Sequence, residues 1–338
     1  MDVSMTTWAV SLVVLLGVLS VDFFLVARNP REPSLREATL WVLFYVSLAV
    51  LFGIALSVAA GGRDGGEFFA GWLTEYSLSV DNLFVFLVIM AKFSVPRQYQ
   101  QKVLLIGVAL ALLLRGIFIA VGAEAIERFD WVFFIFGAFL IYTAWILVVE
   151  GSDDDDEFEE NKLIKFVERR FPATDEYDGA KLFTRVNGKR LITPMFIVIL
   201  TIGTTDLLFA FDSIPAIFGL TQEPYLVFTA NAFALMGLRQ LYFLIGGLLD
   251  RLVYLSYGLA VVLGFIGVKL ILEALHHRGV QWAPEIPILV SLGVITGTLT
   301  LTAIASLAKS RGSHEPADDD VADEMVTTSS DGDTPDRD

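Results

Sequence analysis

Long apolar runs separated by short polar turns set the pattern of this chain. Windows of about 19 residues isolate nine candidate spans, at 8–27, 40–60, 68–91, 102–122, 131–149, 193–219, 225–247, 252–275 and 286–307. Wound as helices at about 1.5 Å per residue, they match a hydrocarbon core of roughly 30 Å. The pattern predicts an all-α, polytopic membrane protein of about nine transmembrane helices. Residues 1–149 hold the first five, 150–192 form an acidic loop, 193–308 hold the last four, and 309–338 make an acidic tail.

Two spans break the apolar pattern in the same way. The third carries Glu75-Tyr-Ser-Leu-Ser-Val-Asp81-Asn82, and the sixth carries Asp206-Leu-Leu-Phe-Ala-Phe-Asp212-Ser213. In each, a carboxylate is followed six residues later by an aspartate and then by a small polar residue. A charge at membrane depth costs about 2.5–3.5 kcal/mol on insertion scales, so four of them need a reason. On a regular helix a six-residue spacing turns the two acids roughly 120° apart, whereas a seven-residue spacing aligns them. For both acids of a half to reach one site, the helix has to unwind there. Pro215 points that way, since it lacks an N–H and frees the carbonyl of Phe211. Ser77, Ser79, Thr204 and Thr205 add short oxygens beside the motifs.

The likeness extends beyond the motifs. Arg115 precedes Gly122 by seven residues, and Arg239 precedes Gly246 by seven; Arg128 and Glu150 correspond to Arg251 and Glu273 within one residue. Spans three to five thus read as a unit repeated upside down as spans six to eight. Inverted repeats of this kind belong to transporters, whose sites lie near the midplane on interrupted helices.

Composition narrows the chemistry. The hydrophobic fraction of 55% and mean hydropathy of +0.63 agree with a membrane protein. The absence of cysteine excludes disulfides and thiolate metal sites. His276, His277 and His314 sit near a helix end or in the tail, so no core imidazole is at hand. The net charge of −15 gathers in 153–160 and after residue 315, which argues against a nucleic-acid surface. Lys and Arg are lopsided: 18 lie on the side facing the tail and three (Arg63, Arg128, Arg278) on the other, with Arg115, Arg239 and Lys269 inside spans. The positive-inside rule then puts the N-terminus outside and the tail in the cytoplasm, in the plasma membrane. With Asp2 and no early basic residue, the first span does not read as a cleaved signal.

The loop opens with a disordered acidic run at 153–160, followed by an amphipathic stretch at 163–167. Residues 183–192 read as a hairpin turning at Asn187-Gly188, and Thr193-Pro194 as the cap and first residue of the next helix. Trp8, Trp41 and Trp72 are expected as interfacial anchors. The tail after residue 315 reads as disordered.

Carboxylate, amide, hydroxyl and carbonyl oxygens favour hard or borderline cations such as Mn²⁺, Mg²⁺ or Ca²⁺ over Cu⁺ and Zn²⁺. Asn231, one span beyond the second motif, is a further amide donor. Arg115 and Arg239 read as partners for buried carboxylates, each pair relieving two desolvation costs. Lys269 is either a counter-ion or a stand-in for the metal, and Asp22 lies near the interface end of its span.

The stretches EYSLSVDNLFVF, FPATDEYDGAKLFTRVNGKRLITP, TTDLLFAFDSIPAIF and YGLAVVLGFIGVKLIL resemble the TerC family of integral membrane proteins, named for tellurium resistance and grouped with the LysE exporters. The likeness spans all nine segments and the loop but not the tail. It implies a cation exporter with manganese as the substrate class. It places the metal ligands on Glu75, Asp81, Asn82, Asp206, Asp212 and Asn231. Two positions depart from the family pattern: Gly203 stands where many relatives have glutamate, and Lys269 has no counterpart in the first half, where Ile146 stands.

The leading expectation is a secondary transporter, not an enzyme, that exports Mn²⁺ or a similar divalent ion and needs no resident cofactor. Proton or sodium exchange would drive it, since no Walker phosphate loop is present. The alternative is a membrane scaffold or insertion factor in tellurite or envelope-stress resistance. An intramembrane hydrolase with Asp81 and Asp212 as a dyad is the third reading.

Overall fold

The computed structural model describes residues 3–28, 33–129, 131–150, 174, 176–186, 189–245, 254–280 and 282–312. The acidic run, the 163–167 stretch, the turn at Asn187-Gly188, the tail and the side chains of Asp22 and Glu150 lie outside what is described.

The described chain is almost wholly helical. Its elements are α1 (Met5–Arg28), α2 (Leu35–Ala59), α3 (Gly62–Lys92), α4 (Arg97–Arg128), α5 (Val132–Glu150), strands β1 (Phe183–Val186) and β2 (Lys189–Ile192), then α6 (Pro194–Phe218), α7 (Pro224–Leu235), α8 (Leu238–Ile245), α9 (Leu255–His277) and α10 (Ile288–Gly312). Seven of the helices are long and apolar enough to cross a membrane: α2 to α6, α9 and α10. In α1 the qualifying apolar stretch is the shorter Met5–Val18.

The seventh expected span, 225–247, is not one helix. It breaks at Met236-Gly237 into α7 and α8, with Gly237 at φ +88°, a backbone angle that glycine adopts without the steric cost of a Cβ. The apolar run continues through the break, which is why hydropathy alone reads it as continuous. By contrast α3 and α6 stay helical through both acidic motifs, even though Pro215 sits inside α6.

Helices α3 and α6 run antiparallel through the centre. A Cβ at Gly71 near the start of α3 would stand 3.2 Å from Ile217 near the end of α6, and Phe93 at the far end of α3 packs with Phe196 and Ile197. Around this pair, α4 packs on α6 and α7 packs on α3. Helices α5 and α9 meet closely enough that a Cβ at either Gly137 or Gly267 would come within 2.8 Å of the other's carbonyl oxygen. Small residues allow this approach, and close van der Waals packing drives helix association in lipid.

The hairpin closes as expected, pairing Phe183 with Ile192 and Val186 with Lys189. It is clamped to the helix ends: Tyr177 donates to the Phe93 carbonyl at 2.7 Å, and Lys102 of α4 donates to the Ala180 carbonyl at 3.2 Å. Thr193 is the N-cap of α6 by backbone, with Pro194 following, but its hydroxyl donates to the Lys181 carbonyl at 2.6 Å and makes no cap bond to the helix. Trp72 is not an interfacial anchor; it is buried among Phe68, Phe69 and Tyr76.

Candidate functional site

At the centre of the bundle, Arg115 of α4 has no solvent exposure. Its guanidinium meets side chains from three other helices. It donates to Glu75 of α3, to Asp206 of α6 at 3.3 Å, to Ser213 of α6 at 3.1 Å and to Asn231 of α7 at 3.1 Å. Ser79 donates to the Glu75 oxygen that Arg115 also contacts, and Asn231 donates to the Val227 carbonyl of its own helix. Six buried polar side chains are thereby fixed by one another, as the low-dielectric interior demands.

The bonds do not balance the cluster. Two carboxylates face one guanidinium, and Glu75 Oε2 is buried with no hydrogen-bond partner among the described residues. Thr74 Oγ1 on the same helix is likewise unsatisfied.

Asp81 and Asp212 stand outside this cluster. Both are half-buried, and Asp212 accepts from Thr143 of α5 at 3.1 Å. The reason is the spacing: on helices that do not unwind, six residues carry an acid about 120° around the axis. The seven-residue relation holds instead in α6, where Asp206 and Ser213 both reach Arg115. The expected convergence of Glu75, Asp81, Asn82, Asp206, Asp212 and Asn231 on one pocket is therefore not what this structure shows. It unites Glu75, Asp206 and Asn231. Among the described residues, no group of three or more Asp, Glu or His side chains is placed to hold a metal ion.

The antiparallel register turns the acidic motifs into two tiers. From the contact of Gly71 with Ile217, counting along both helices sets Asn82 level with Asp206, and Glu75 level with Ser213. One tier holds Asp81, Asn82 and Asp206; the other holds Glu75, Asp212 and Ser213. At about 1.5 Å per residue they lie roughly 9–10 Å apart along the helices, and Arg115 touches both.

The other two intramembrane bases play local roles. Arg239 on α8 donates to the amide oxygen of Gln101 at 3.3 Å. Lys269 on α9 donates at 2.6 Å to the carbonyl of Gly219, the C-cap of α6, and lies 3.9 Å from Glu273. It thus satisfies one of the orphan carbonyls that end a helix. Thr143, Gln101 and the Gly219 carbonyl had no signature in the sequence, because each is recruited from another helix by packing.

Comparison with known proteins agrees with this architecture. Residues 60–314 match the profile of the Integral membrane protein TerC family. An uncharacterized membrane protein of Mycobacterium tuberculosis is 48% identical over 94% of this chain and 83% of its own length. An uncharacterized membrane protein of Myxococcus xanthus is 39% identical over 92% of this chain and 94% of its own. Alx of Escherichia coli, which carries the name of a membrane-bound redox modulator, is 38% identical over 88% of this chain and 92% of its own. No solved structure matches the chain.

Proposed function

The chain belongs to the TerC family of integral membrane proteins, and from that premise we propose that it exports a divalent cation, Mn²⁺ ahead of Mg²⁺ and Ca²⁺, across the plasma membrane. The observation that carries this reading is an imbalance of charge. Four carboxylates, Glu75, Asp81, Asp206 and Asp212, stand along α3 and α6. Arg115 bonds to two of them, while Asp212 is held by the neutral hydroxyl of Thr143. Excess negative charge at membrane depth is costly, and a transported cation relieves it.

The donor set suits such an ion. Carboxylate, amide and hydroxyl oxygens are ligands for hard and borderline divalent cations. Asp81 and Asp212, off the arginine cluster, are the first carboxylates offered from the two tiers. Glu75 Oε2 is a buried acceptor still open to a positive charge. The ion would pass from one tier to the other beside Arg115, the two halves rocking about it in the manner of inverted-repeat transporters. Exchange of a proton or sodium ion supplies the energy, with the N-terminus outside and the tail in the cytoplasm. Redox chemistry on thiols of its own is closed to this sequence, which contains no cysteine.

The test uses cells that express wild type, Asp81→Asn or Asp212→Asn at equal membrane abundance under a manganese load. Wild type should lower cell manganese and raise tolerance, and each variant should lose both effects. Equal manganese content in all three would reject the assignment.

A further inference from the structure

The hairpin carries a feature that its fold alone does not explain. Its register sets Arg185 directly opposite Arg190. Like charges facing each other across an antiparallel pair are destabilising. Among the described residues neither guanidinium has an ion pair or hydrogen bond, and both are exposed. With Asp178, Lys181, Phe183 and Thr184 they line an open cavity of about 500 Å³. The carboxylate in that lining, Asp178, is already engaged by Lys181 at 3.0 Å and by the Thr184 hydroxyl at 2.8 Å. Among the described lining residues, three bases stand against this one acid, an excess of two positive charges.

We propose that this cavity is a docking site for the phosphate headgroup of an anionic membrane lipid, gripped by Arg185 and Arg190. Paired guanidiniums offer forked donors that match phosphate oxygens. The surroundings select a lipid over other anions. Strand alternation puts Phe183 and Ile192 on the arginine face. Phe183 is 54% exposed, with its ring 5.3 Å from that of Phe196 on the first turn of α6, and Ile192 packs against Ile197. The arginines therefore sit beside the apolar shoulder of the bundle, where aromatic rings and headgroups meet. The positive-inside bias puts this face at the cytoplasmic leaflet, which carries the anionic lipids. Because the hairpin segment is tied to Phe93, Lys102 and Thr193, a bound lipid braces the ends of α3, α4 and α6. The lipid site is independent of the cation path.

The experiment takes full-length protein in a neutral detergent with equal amounts of phosphatidylglycerol and phosphatidylcholine, and counts retained lipids by native mass spectrometry. Wild type should keep phosphatidylglycerol selectively. Arg185→Gln with Arg190→Gln should weaken that retention about 25-fold, the factor expected from about 1 kcal/mol per basic residue at an anionic surface. Arg128→Gln, on the opposite side, should change nothing. Arg185→Lys with Arg190→Lys preserves both charges without the forked donors and should keep an intermediate preference, which separates loss of charge from a misfolded hairpin. Equal retention of the two lipids by wild type, or unchanged selectivity in the glutamine variant, would overturn the site. Displacement of the lipid by inorganic phosphate at the same concentration would reassign it to a free anion and overturn the lipid proposal.

Discussion

Glu75 and Asp206 accept from the same guanidinium, that of Arg115, although they stand on different helices in opposite halves of the chain. The arginine is thus the keystone of the α3, α4, α6 and α7 crossing. Replacing it with glutamine strands two buried carboxylates, a change that costs about 3–5 kcal/mol when one partner of a buried pair is removed. Arg115→Gln should lower the melting temperature of the purified protein markedly. Adding Glu75→Gln should recover part of the loss, because one of the stranded charges disappears. A thermal melt of the single and double variants in the same detergent decides it.

Asp212 should behave in the opposite way. It lies off the arginine cluster and is held by one hydroxyl, that of Thr143. Asp212→Asn keeps the shape and an acceptor, so stability should shift by no more than about 1 kcal/mol, while manganese efflux falls to background. A variant that melts early and still exports would reverse the roles of the two kinds of acid.

The α5–α9 contact leaves no space at its closest point. At Gly137 a Cβ would come within 2.8 Å of the Gly267 carbonyl oxygen, and the reverse holds at Gly267. Gly137→Ala and Gly267→Ala should each destabilise by about 1–3 kcal/mol through overpacking. Gly293, with nothing within 4 Å of its Cβ position, is the control and should tolerate alanine. Denaturation midpoints of the three variants measure the difference.

The loop before the hairpin should respond to acid. Hydrogen bonds from Thr184 and Lys181 hold the Asp178 carboxyl below the usual carboxylate range. A lowered folded-state value means that the contact is fully present above the unfolded pKa of about 3.9 and is lost as pH falls through the folded value. Hydrogen exchange across 176–192, corrected for intrinsic rates, should accelerate only below about pH 4. In Thr184→Val the acceleration should begin at higher pH.

Most of the fold was legible because a membrane permits few backbone solutions, and long apolar runs announce helices. The hairpin was legible from its turn residues. The break at Met236-Gly237 was not, since Phe233, Ala234 and Leu235 run into it without a polar interruption. At the site, Arg115 could be named from its charge within an apolar span. Its choice of Glu75, Asp206 and Asn231 over Asp81 and Asp212 depended on whether α3 and α6 unwind, and they do not. Trp72 shows the same limit: its place in the core is set by Phe68, Phe69 and Tyr76, neighbours that no single-span pattern reveals.

Transport by the carboxylate tiers is most directly tested by Mn²⁺ flux into sealed vesicles that contain only this protein and lipid, across an imposed pH gradient. Wild-type vesicles should move manganese faster than protein-free ones, and Asp81→Asn and Asp212→Asn vesicles should match the protein-free rate. Undiminished flux through both variants, or none through wild type in either a proton or a sodium gradient, would contradict the account.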